Sequence, residues 1–364
     1  MSPRFIMIGG FLGAGKTTTV GRLAQHYMQR GLRVVIVTND QTTDLVDTHN
    51  LRSQGFDVGE VAGSCFCCNF PALTETVERL SATTPPDVVL AEPVGSCTDL
   101  VATVIRPMAQ IYQQPVEVAP YGVILKPSHG AKILRRDSQG GFSPKAEYIF
   151  RKQLEEADFI ILNRIDELAP EGAAELERLL QADFPGRAIL RTSAKTGAGF
   201  EALCEMLEQR GAFGQRLMDV DYDVYAEGEA ELGWLNSQVS VRGTKPFFLD
   251  DLLLDVIRRL QGGLAREGAE TAHLKIIGLA DGHYAVANLV SSFNLPDLSL
   301  SSGGAAMEAS LVVNARVATD PAALEQVVRA EVSAACRELA AQYEFQTMQS
   351  FRPGRPVPTH RILS

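Results

Sequence analysis

Residues Gly10 to Thr17 read Gly-Phe-Leu-Gly-Ala-Gly-Lys-Thr and directly follow the apolar run Phe5-Ile6-Met7-Ile8. An apolar strand, a glycine-rich turn and a helix in this order form a phosphate-binding loop. The glycines let backbone N–H groups turn towards phosphate oxygens, and the following helix points its positive end at them. We expect Lys16 to reach the β- and γ-phosphates of a nucleoside triphosphate and Thr17 to offer its hydroxyl to Mg²⁺. The predicted phosphate-side residues are Gly10, Gly13, Ala14, Gly15, Lys16, Thr17 and Thr18.

Strand-like and helix-like segments alternate around this loop. Apolar runs rich in β-branched residues occupy 34–37, 88–91, 122–125, 159–162 and 188–190, and amphipathic segments occupy 18–29, 72–80, 146–157 and 172–182. Strands that are apolar along their whole length are typical of a parallel sheet covered on both faces. The repeated βα order therefore predicts an α/β fold with a doubly wound, mostly parallel P-loop NTPase sheet.

The order of elements changes after residue 212. We predict a P-loop domain over 1–212, a linker over 213–236, a smaller C-terminal α+β domain over 237–350 and a Pro/Arg-rich tail over 351–364. In the second domain, strand-like runs at 273–279 and 283–290 flank the turn Asp281-Gly282, as in a hairpin. Asp320-Pro321 supplies the cap and first turn of a helix to about residue 342. The pattern predicts a small antiparallel sheet with helices on one face.

The composition excludes several classes of partner. The chain has 364 residues, and its 44 acidic residues exceed its 34 basic residues, which gives a net charge of −10. A chain of this charge has no general attraction for nucleic acid or for anionic membranes. No segment approaches the roughly 18 consecutive apolar residues of a membrane span, and the first apolar run leads into glycines and Lys16, unlike a signal peptide. We therefore expect a soluble cytoplasmic protein.

Two further loops follow predicted strands and suit recognition of guanine. Asn163-Arg164-Ile165-Asp166 is similar to the Asn-Lys-x-Asp element of guanine-binding proteins, and the Asp166 carboxylate can accept from the ring N–H and the exocyclic amine. Thr192-Ser193-Ala194-Lys195 follows the next strand, and we expect a backbone N–H near Ala194 to donate to the guanine carbonyl. After a phosphate loop, both elements favour GTP over ATP. The predicted base-side residues are Asn163, Arg164, Asp166, Ser193, Ala194 and Lys195.

Carboxylates at the ends of two predicted strands are candidates for organising Mg²⁺ and the attacking water. Glu92 ends the run 88–91 and precedes Pro93-Val94-Gly95, which predicts that its carboxylate lies beside the γ-phosphate. Asp40 follows the run 34–37 and is a candidate metal ligand or switch residue, whereas Asp44 is more typical of a solvated loop. The predicted catalytic residues are Lys16, Thr17, Glu92 and Asp40.

Cysteines crowd into one short stretch of the chain. Of the six in the chain, Cys65, Cys67 and Cys68 lie within four positions. Thiols so close along the chain form strained disulfides but converge readily on a soft or borderline cation. We therefore predict a transition-metal site on these three residues, with its fourth position open to water, a carboxylate or a partner protein. Cys97 stands alone and is interpreted as a core residue.

Together, these motifs resemble the CobW-like family of P-loop GTPases. The phosphate loop, the Cys65-Phe66-Cys67-Cys68 run and Glu92-Pro93-Val94-Gly95 match the family's phosphate loop, its Cys-x-Cys-Cys signature and its Glu-x-x-Gly element. The resemblance implies that the cysteines bind Zn²⁺, Co²⁺ or a similar ion, and that GTP binding and hydrolysis gate its delivery to a client metalloprotein or a cobalamin-related pathway. The run from Asn39 to Asp44 is also similar to the nickel-insertion GTPases for urease and hydrogenase, which keeps Ni²⁺ open.

The leading hypothesis is a GTP-hydrolysing metallochaperone whose γ-phosphate holds the metal-binding loop in its metal-holding form. In one alternative, the second domain docks a metalloenzyme or a corrinoid protein, nucleotide sets the docking affinity, and hydrolysis is incidental. In another, the chain is an ATP-dependent kinase with a structural zinc site, which preference for ATP would reveal. The sequence leaves the metal, the client and a homodimer open.

Overall fold

The computed structural model describes residues 2–39, 51–52, 54–136, 143–280 and 282–364. The chain forms two compact units. The first contains Met1–Ala226 together with Arg355–Ser364, and the second contains Glu227–Gly354. The end of the predicted tail therefore belongs to the first unit.

The first unit is built on a parallel sheet. Its strands are β1 (Arg4–Gly10), β2 (Val34–Asn39), β3 (Val58–Val61), β4 (Val88–Glu92), β5 (Glu117–Val118), β6 (Gly122–Leu125), β7 (Phe159–Leu162) and β8 (Ala188–Arg191). They pair in the order β3-β2-β4-β1-β6-β7-β8, with β5 also beside β1. Every one of these pairings is parallel. The predicted mostly parallel sheet is confirmed.

Helices lie between these strands and after the last of them. They are α1 (Lys16–Gln29), α2 (Phe70–Ser81), α3 (Arg106–Gln110), α4 (Pro127–Arg135), α5 (Pro144–Glu156), α6 (Pro170–Asp183), α7 (Phe200–Glu208) and α8 (Tyr222–Ala230), with a π-helix at Val101–Ile105 and a 3₁₀-helix at Ile165–Glu167. Helix α1 buries Val20, Leu23, Ala24 and Tyr27, the three- and four-residue spacing of an apolar helix face. The Ser143 side chain caps α5.

Several short elements escape the sequence patterns. Strand β3 has only four residues, and Gly59 and Glu60 interrupt its apolar run. Strand β5 has two residues. Helix α8 lies within the stretch predicted as a linker, where its acidic composition hides any apolar stripe. Such segments give no periodic signal because they are short or polar.

The second unit is a six-stranded antiparallel sheet. Its strands are β9 (Gly233–Phe248), β10 (Glu270–Ala280), β11 (His283–Leu289), β12 (Asp297–Leu300), β13 (Ala305–Ala318) and β14 (Ala341–Phe351), in the order β12-β11-β10-β13-β9-β14. Helices α9 (Leu249–Arg266) and α10 (Pro321–Glu338) pack on one face. Alternate strand residues such as Leu311 and Val313 meet helix residues such as Ile257 and Val328 in one core. The predicted smaller α+β domain is confirmed.

Details of this unit refine the sequence expectations. The predicted hairpin is present, with Ala280 paired to His283, although Asp281 lies outside the described residues. Asp320 caps α10 as predicted, but the helix ends at Glu338 and not near residue 342. Ala340 adopts a left-handed conformation with φ of 52°, and β14 follows. Good helix formers around the helix end conceal this reversal in the sequence. Among the helices of the described residues, none is long and apolar enough to cross a membrane.

Candidate functional site

The predicted motifs gather at one edge of the parallel sheet. The phosphate loop follows β1, the cysteine-rich loop follows β3, and the loops at 163–166 and 192–197 follow β7 and β8. Asn39 and Glu92 are the last residues of β2 and β4. In open α/β sheets, ligands bind at the carboxyl ends of the strands, so this edge is the candidate site.

The phosphate loop has the geometry of an anion site. Gly15 caps α1 in the left-handed conformation, with φ of 99°, and Gly13 has φ of 69°. A side chain at Gly15 would also collide with Asn163, since its Cβ would lie 2.5 Å from Asn163 Nδ2. The buried Lys16 ammonium donates to the carbonyl oxygens of Gly10 at 2.9 Å and Phe11 at 3.3 Å. Its charge is therefore held at the mouth of the loop.

Thr17 and Glu92 form a pair beside this loop. The Thr17 hydroxyl donates to Glu92 Oε1 at 2.8 Å, and both residues are buried. Magnesium binds oxygen ligands at about 2.1 Å in an octahedron, whose neighbouring corners are about 3.0 Å apart. The two oxygens therefore fit adjacent positions around one Mg²⁺ ion.

Asn163 joins three loops on the base side. Its Nδ2 donates to the Ala14 carbonyl at 2.9 Å, and its Oδ1 accepts from the Ala194 amide at 2.9 Å and from the Thr192 hydroxyl at 3.3 Å. The Ala194 amide, which we expected to face guanine, is thus bonded to Asn163. Reading the guanine carbonyl through that amide requires this bond to be shared or broken.

The other predicted base-side residues flank Asn163. Asp166 lies in the 3₁₀-helix that follows β7, and Arg164 pairs with Glu167. The Ser193 hydroxyl accepts from the Thr196 amide at 3.1 Å. Arg22 of α1 donates to the carbonyl oxygens of Ala194 and Lys195, both at 2.9 Å. These bonds fix the loop after β8 against the helix of the phosphate loop.

The cysteine-rich loop is a tight turn fastened to β2. The amides of Cys68 and Asn69 donate to the Cys65 carbonyl at 3.0 and 2.9 Å. From the end of β2, Asn39 Nδ2 donates to the Ser64 carbonyl at 2.7 Å, and its Oδ1 accepts from the Phe66 amide at 2.8 Å. Asn39 therefore orients the turn, although nothing in its sequence pattern assigned it that role.

The thiols that converge include one from outside this loop. The Sγ atoms of Cys65, Cys67 and Cys97 all lie within 4.8 Å of one another, and the three residues are buried. Cys68 is half-buried, and its Sγ is 3.7 Å from that of Cys67. Cys97 is buried, as its interpretation as a core residue requires, and its thiol also lies beside those of Cys65 and Cys67.

The surroundings of these thiols favour their protonated forms. The hydrogen bond with Cys67 raises the pKa of the Cys65 thiol, and burial adds to the effect. The hydrogen bond with Cys65 raises the pKa of Cys68 to about 11. A cation that binds such thiols displaces their protons, so binding of a metal ion by these cysteines would release protons.

The loop after β4 connects the phosphate loop to Cys97. A Cβ added to Gly95 would lie 2.9 Å from Lys16 Nζ, so the Gly95 backbone borders the phosphate site. The buried Gln153 of α5 donates through Nε2 to the carbonyl oxygens of Gly95 at 3.0 Å and Cys97 at 2.8 Å. Farther along, Glu156 accepts from the Val101 amide at 2.9 Å. Helix α5 thus holds the loop at both ends.

The end of the chain packs on the cysteine turn. The Thr359 amide donates to the Cys67 carbonyl at 2.7 Å, and its hydroxyl donates to the Cys68 carbonyl at 3.0 Å. Nearby, Arg361 pairs at 2.6 Å with the buried carboxylate of Asp99. The predicted tail therefore covers the outer side of the turn.

Asp40, together with Asp44, lies outside the described residues. Sequence reasoning missed Asn39, Cys97 and Gln153. For Cys97 the sequence did hold a signal: it lies two positions after Gly95, and therefore close to the predicted Glu92-Pro93-Val94-Gly95 element.

Comparison with known families now bears on this site. The family described as "CobW/HypB/UreG, nucleotide-binding domain" matches residues 4–190, which is more than half of the chain. The chain belongs to this family. The match of this CobW/HypB/UreG domain extends from β1, through the phosphate loop and the cysteine turn, into β8.

Individual relatives of this CobW/HypB/UreG protein carry different names. It is 30% identical over 216 residues to the urease accessory protein UreG of Photorhabdus laumondii, covering 56% of this chain and 90% of UreG. It is 28% identical over 192 residues to the zinc chaperone YeiR of Escherichia coli, covering 51% of this chain and 54% of YeiR. The chain thus spans about half of that zinc chaperone. The crystal structure of Zn(II)-bound YjiA GTPase from E. coli is 13% identical with a TM-score of 0.39, covering 92% of this chain and 99% of YjiA.

Proposed function

We propose that this protein is a GTP-hydrolysing metallochaperone that carries a transition metal, Zn²⁺ first, and delivers it to a client metalloprotein. The observation that carries the proposal is the loop after β4, in which Gly95 borders Lys16 and Cys97 joins the thiol cluster. Two residues of chain span at most about 7 Å. A metal ion and a γ-phosphate bound at these places would therefore act on the same short segment.

The nucleotide half of the proposal assigns roles around the phosphate loop. Lys16 exchanges its bonds to loop carbonyls for bonds to the β- and γ-phosphates, where its charge stabilises the transferring phosphoryl group. Thr17 and Glu92 would hold Mg²⁺, which neutralises phosphate charge when bound. We also assign to the buried Glu92 carboxylate the task of orienting the attacking water. Asp40 remains a candidate for the same task.

The base side supports GTP as the substrate. Asn163 bonds the phosphate loop to the loop after β8, so it fixes the distance between the phosphate and base pockets. Asp166 supplies a carboxylate that accepts from the N–H groups of guanine, whereas the corresponding edge of adenine lacks that pair of donors.

The proposed transition-metal binding rests on soft ligands. Thiolates bind Zn²⁺, Co²⁺ and other borderline or soft ions in preference to Mg²⁺ or Ca²⁺. The name of the relative YeiR, a zinc chaperone, supports Zn²⁺, and the name of UreG, a urease accessory protein, supports a metalloenzyme as the client.

The experiment compares the full-length protein with Cys65→Ser and with the control Cys336→Ser, a buried cysteine of the second unit. Zn²⁺ affinity is measured by competition with a chromophoric chelator, with GDP and with a non-hydrolysable GTP analogue. Phosphate release from GTP and from ATP is measured in parallel, with and without Zn²⁺, Co²⁺ and Ni²⁺.

We expect GTP turnover, tighter Zn²⁺ binding with the GTP analogue than with GDP, and loss of Zn²⁺ binding in Cys65→Ser only. Equal Zn²⁺ affinity in the two nucleotide states would contradict nucleotide-controlled delivery. Turnover of ATP in preference to GTP would instead select a kinase or another ATPase.

A further inference from the structure

The metal-binding group that the sequence predicts and the group that the structure assembles differ in one residue. Three adjacent cysteines suggest Cys65, Cys67 and Cys68, whereas the buried thiols that approach one another are those of Cys65, Cys67 and Cys97. Among the described residues, no other group of three His, Cys, Asp or Glu side chains approaches so closely. The odd member, Cys97, comes from the loop after β4.

The spacing of these thiols suits a tetrahedral ion. Zinc–sulfur bonds of about 2.3 Å place two bound sulfurs about 3.8 Å apart. The three Sγ atoms lie within 4.8 Å of one another, so each pair closes by about 1 Å or less to bind one ion. Side-chain rotation supplies such a shift without moving the backbone.

Cys68 occupies a different position. It is half-buried, whereas the other three cysteines are buried. Its carbonyl accepts from the Thr359 hydroxyl at the outer side of the turn, and its Sγ is 3.7 Å from that of Cys67. Cys68 therefore lies at the solvent side of the cluster.

We propose that Cys97 is the third thiolate ligand of the metal, together with Cys65 and Cys67, and that Cys68 is the outer thiol beside this site. The proposal rests on the metal-carrying function and adds a ligand to it. The proposal also links the metal site to the phosphate loop through the backbone. Cys97 and Gly95 share one amide donor, Gln153, so a ligand of the metal is fastened to the backbone that borders Lys16.

The first test counts the ligands directly in the unaltered protein. Loaded with ¹¹³Cd²⁺, the full chain gives scalar couplings between the metal and the β-protons of each cysteine that binds it. We expect couplings to Cys65, Cys67 and Cys97. Couplings to Cys65 and Cys67 without one to Cys97 overturn the inference and leave the proposed function intact, whereas no coupling to any cysteine overturns both.

The second test uses variants in the Zn²⁺ competition assay. Removing partners that only orient a ligand typically lowers metal affinity ten- to a hundredfold, so we expect Cys97→Ser and Cys97→Ala to lose about a hundredfold or more. Cys68→Ser should lose less, and the control Cys204→Ser, a buried cysteine on α7, should match the unaltered protein.

X-ray absorption at the zinc edge then separates loss of a ligand from general damage. Cys97→Ser should have one fewer sulfur neighbour at about 2.3 Å, while its GTP affinity is retained. An unchanged sulfur count, or a loss of affinity confined to Cys68→Ser, overturns the assignment. Loss of Zn²⁺ binding in Cys65→Ser together with normal binding in Cys97→Ser refutes this inference alone.

Discussion

Replacing Gln153 by Met separates the two halves of the site without touching a proposed ligand of either. Methionine has a similar length but no donor, so the carbonyl oxygens of Gly95 and Cys97 lose the bonds of 3.0 and 2.8 Å that Nε2 supplies. A buried hydrogen bond contributes about 1 kcal/mol net, so the two together are worth about 2 kcal/mol. If both bonds transmit the influence of nucleotide on metal, that influence falls by up to about thirtyfold.

The assay is the ratio of Zn²⁺ dissociation constants with GDP and with a non-hydrolysable GTP analogue. Coupling between two sites is reciprocal, so the ratio of nucleotide affinities with and without Zn²⁺ must change by the same factor. The structure offers a matched control. Gln261 in the second unit also donates through Nε2 to two carbonyl oxygens, those of Ser292 at 3.0 Å and Asn294 at 2.9 Å.

Both variants remove two bonds from one side-chain amide to two carbonyl oxygens, so we expect both to lose stability and the coupling ratio to fall only in Gln153→Met. An unchanged ratio in Gln153→Met would refute the role of this side chain in transmission. An equal fall in Gln261→Met would also refute it, because the effect would then follow from lower stability alone.

Three further predictions concern other parts of the first unit. Burial raises the pKa of Glu156 well above its usual range, so the folded state binds the proton more tightly than the unfolded state, and the free energy of unfolding declines as pH rises above the unfolded pKa. Urea unfolding at several pH values should show this decline, worth up to about 1.4 kcal/mol per pH unit, in the unaltered protein and not in Glu156→Gln. The same pH dependence in the variant would contradict the prediction. Asp166→Asn replaces a hydrogen-bond acceptor by a donor, so a nucleotide titration should show GTP binding weakened by about 2 kcal/mol, or thirtyfold, and ATP binding unchanged. Equal losses for both nucleotides would exclude a role of Asp166 in recognising the base. Thr359→Pro removes the amide and hydroxyl that donate to the carbonyl oxygens of Cys67 and Cys68. The thiol of Cys68 should then react with a disulfide reagent up to about thirtyfold faster. An unchanged rate would mean that the tail does not hold the turn closed.

The parallel sheet was predictable because each of its longer strands is a continuous apolar run. The run at 122–125 matches β6, and the run at 159–162 matches β7, without a shift of one residue. Strand β14 was not predictable in the same way. Its start continues the helix-forming composition of α10, and only the left-handed Ala340 separates the two elements. A left-handed conformation at alanine carries no sequence signal, because alanine rarely adopts it.

The residues of the candidate site also differ in how far the sequence predicts them. The phosphate loop and Asn163 are recognisable because their chemistry needs particular residues at fixed spacing along one stretch of chain. Asn39 and Gln153 act through side-chain bonds to backbone atoms of other loops. Any residue with an amide side chain could make such bonds, so their roles follow only from the strand order β3-β2-β4-β1, which brings those loops together.

Cys97 illustrates why local density along the sequence is an incomplete guide to a metal site. Cys67 and Cys68 are adjacent in the chain, yet Cys67 is buried and Cys68 is half-buried. Strands β3 and β4 lie on either side of β2 and run parallel to it, so the loops after them leave the same edge of the sheet. A buried thiol on the second loop can therefore be nearer to Cys65 than its sequence separation suggests. In a parallel sheet, strand order thus decides which loops meet, and in this chain the loop after β4 carries both the buried Cys97 and the Gly95 backbone that borders Lys16.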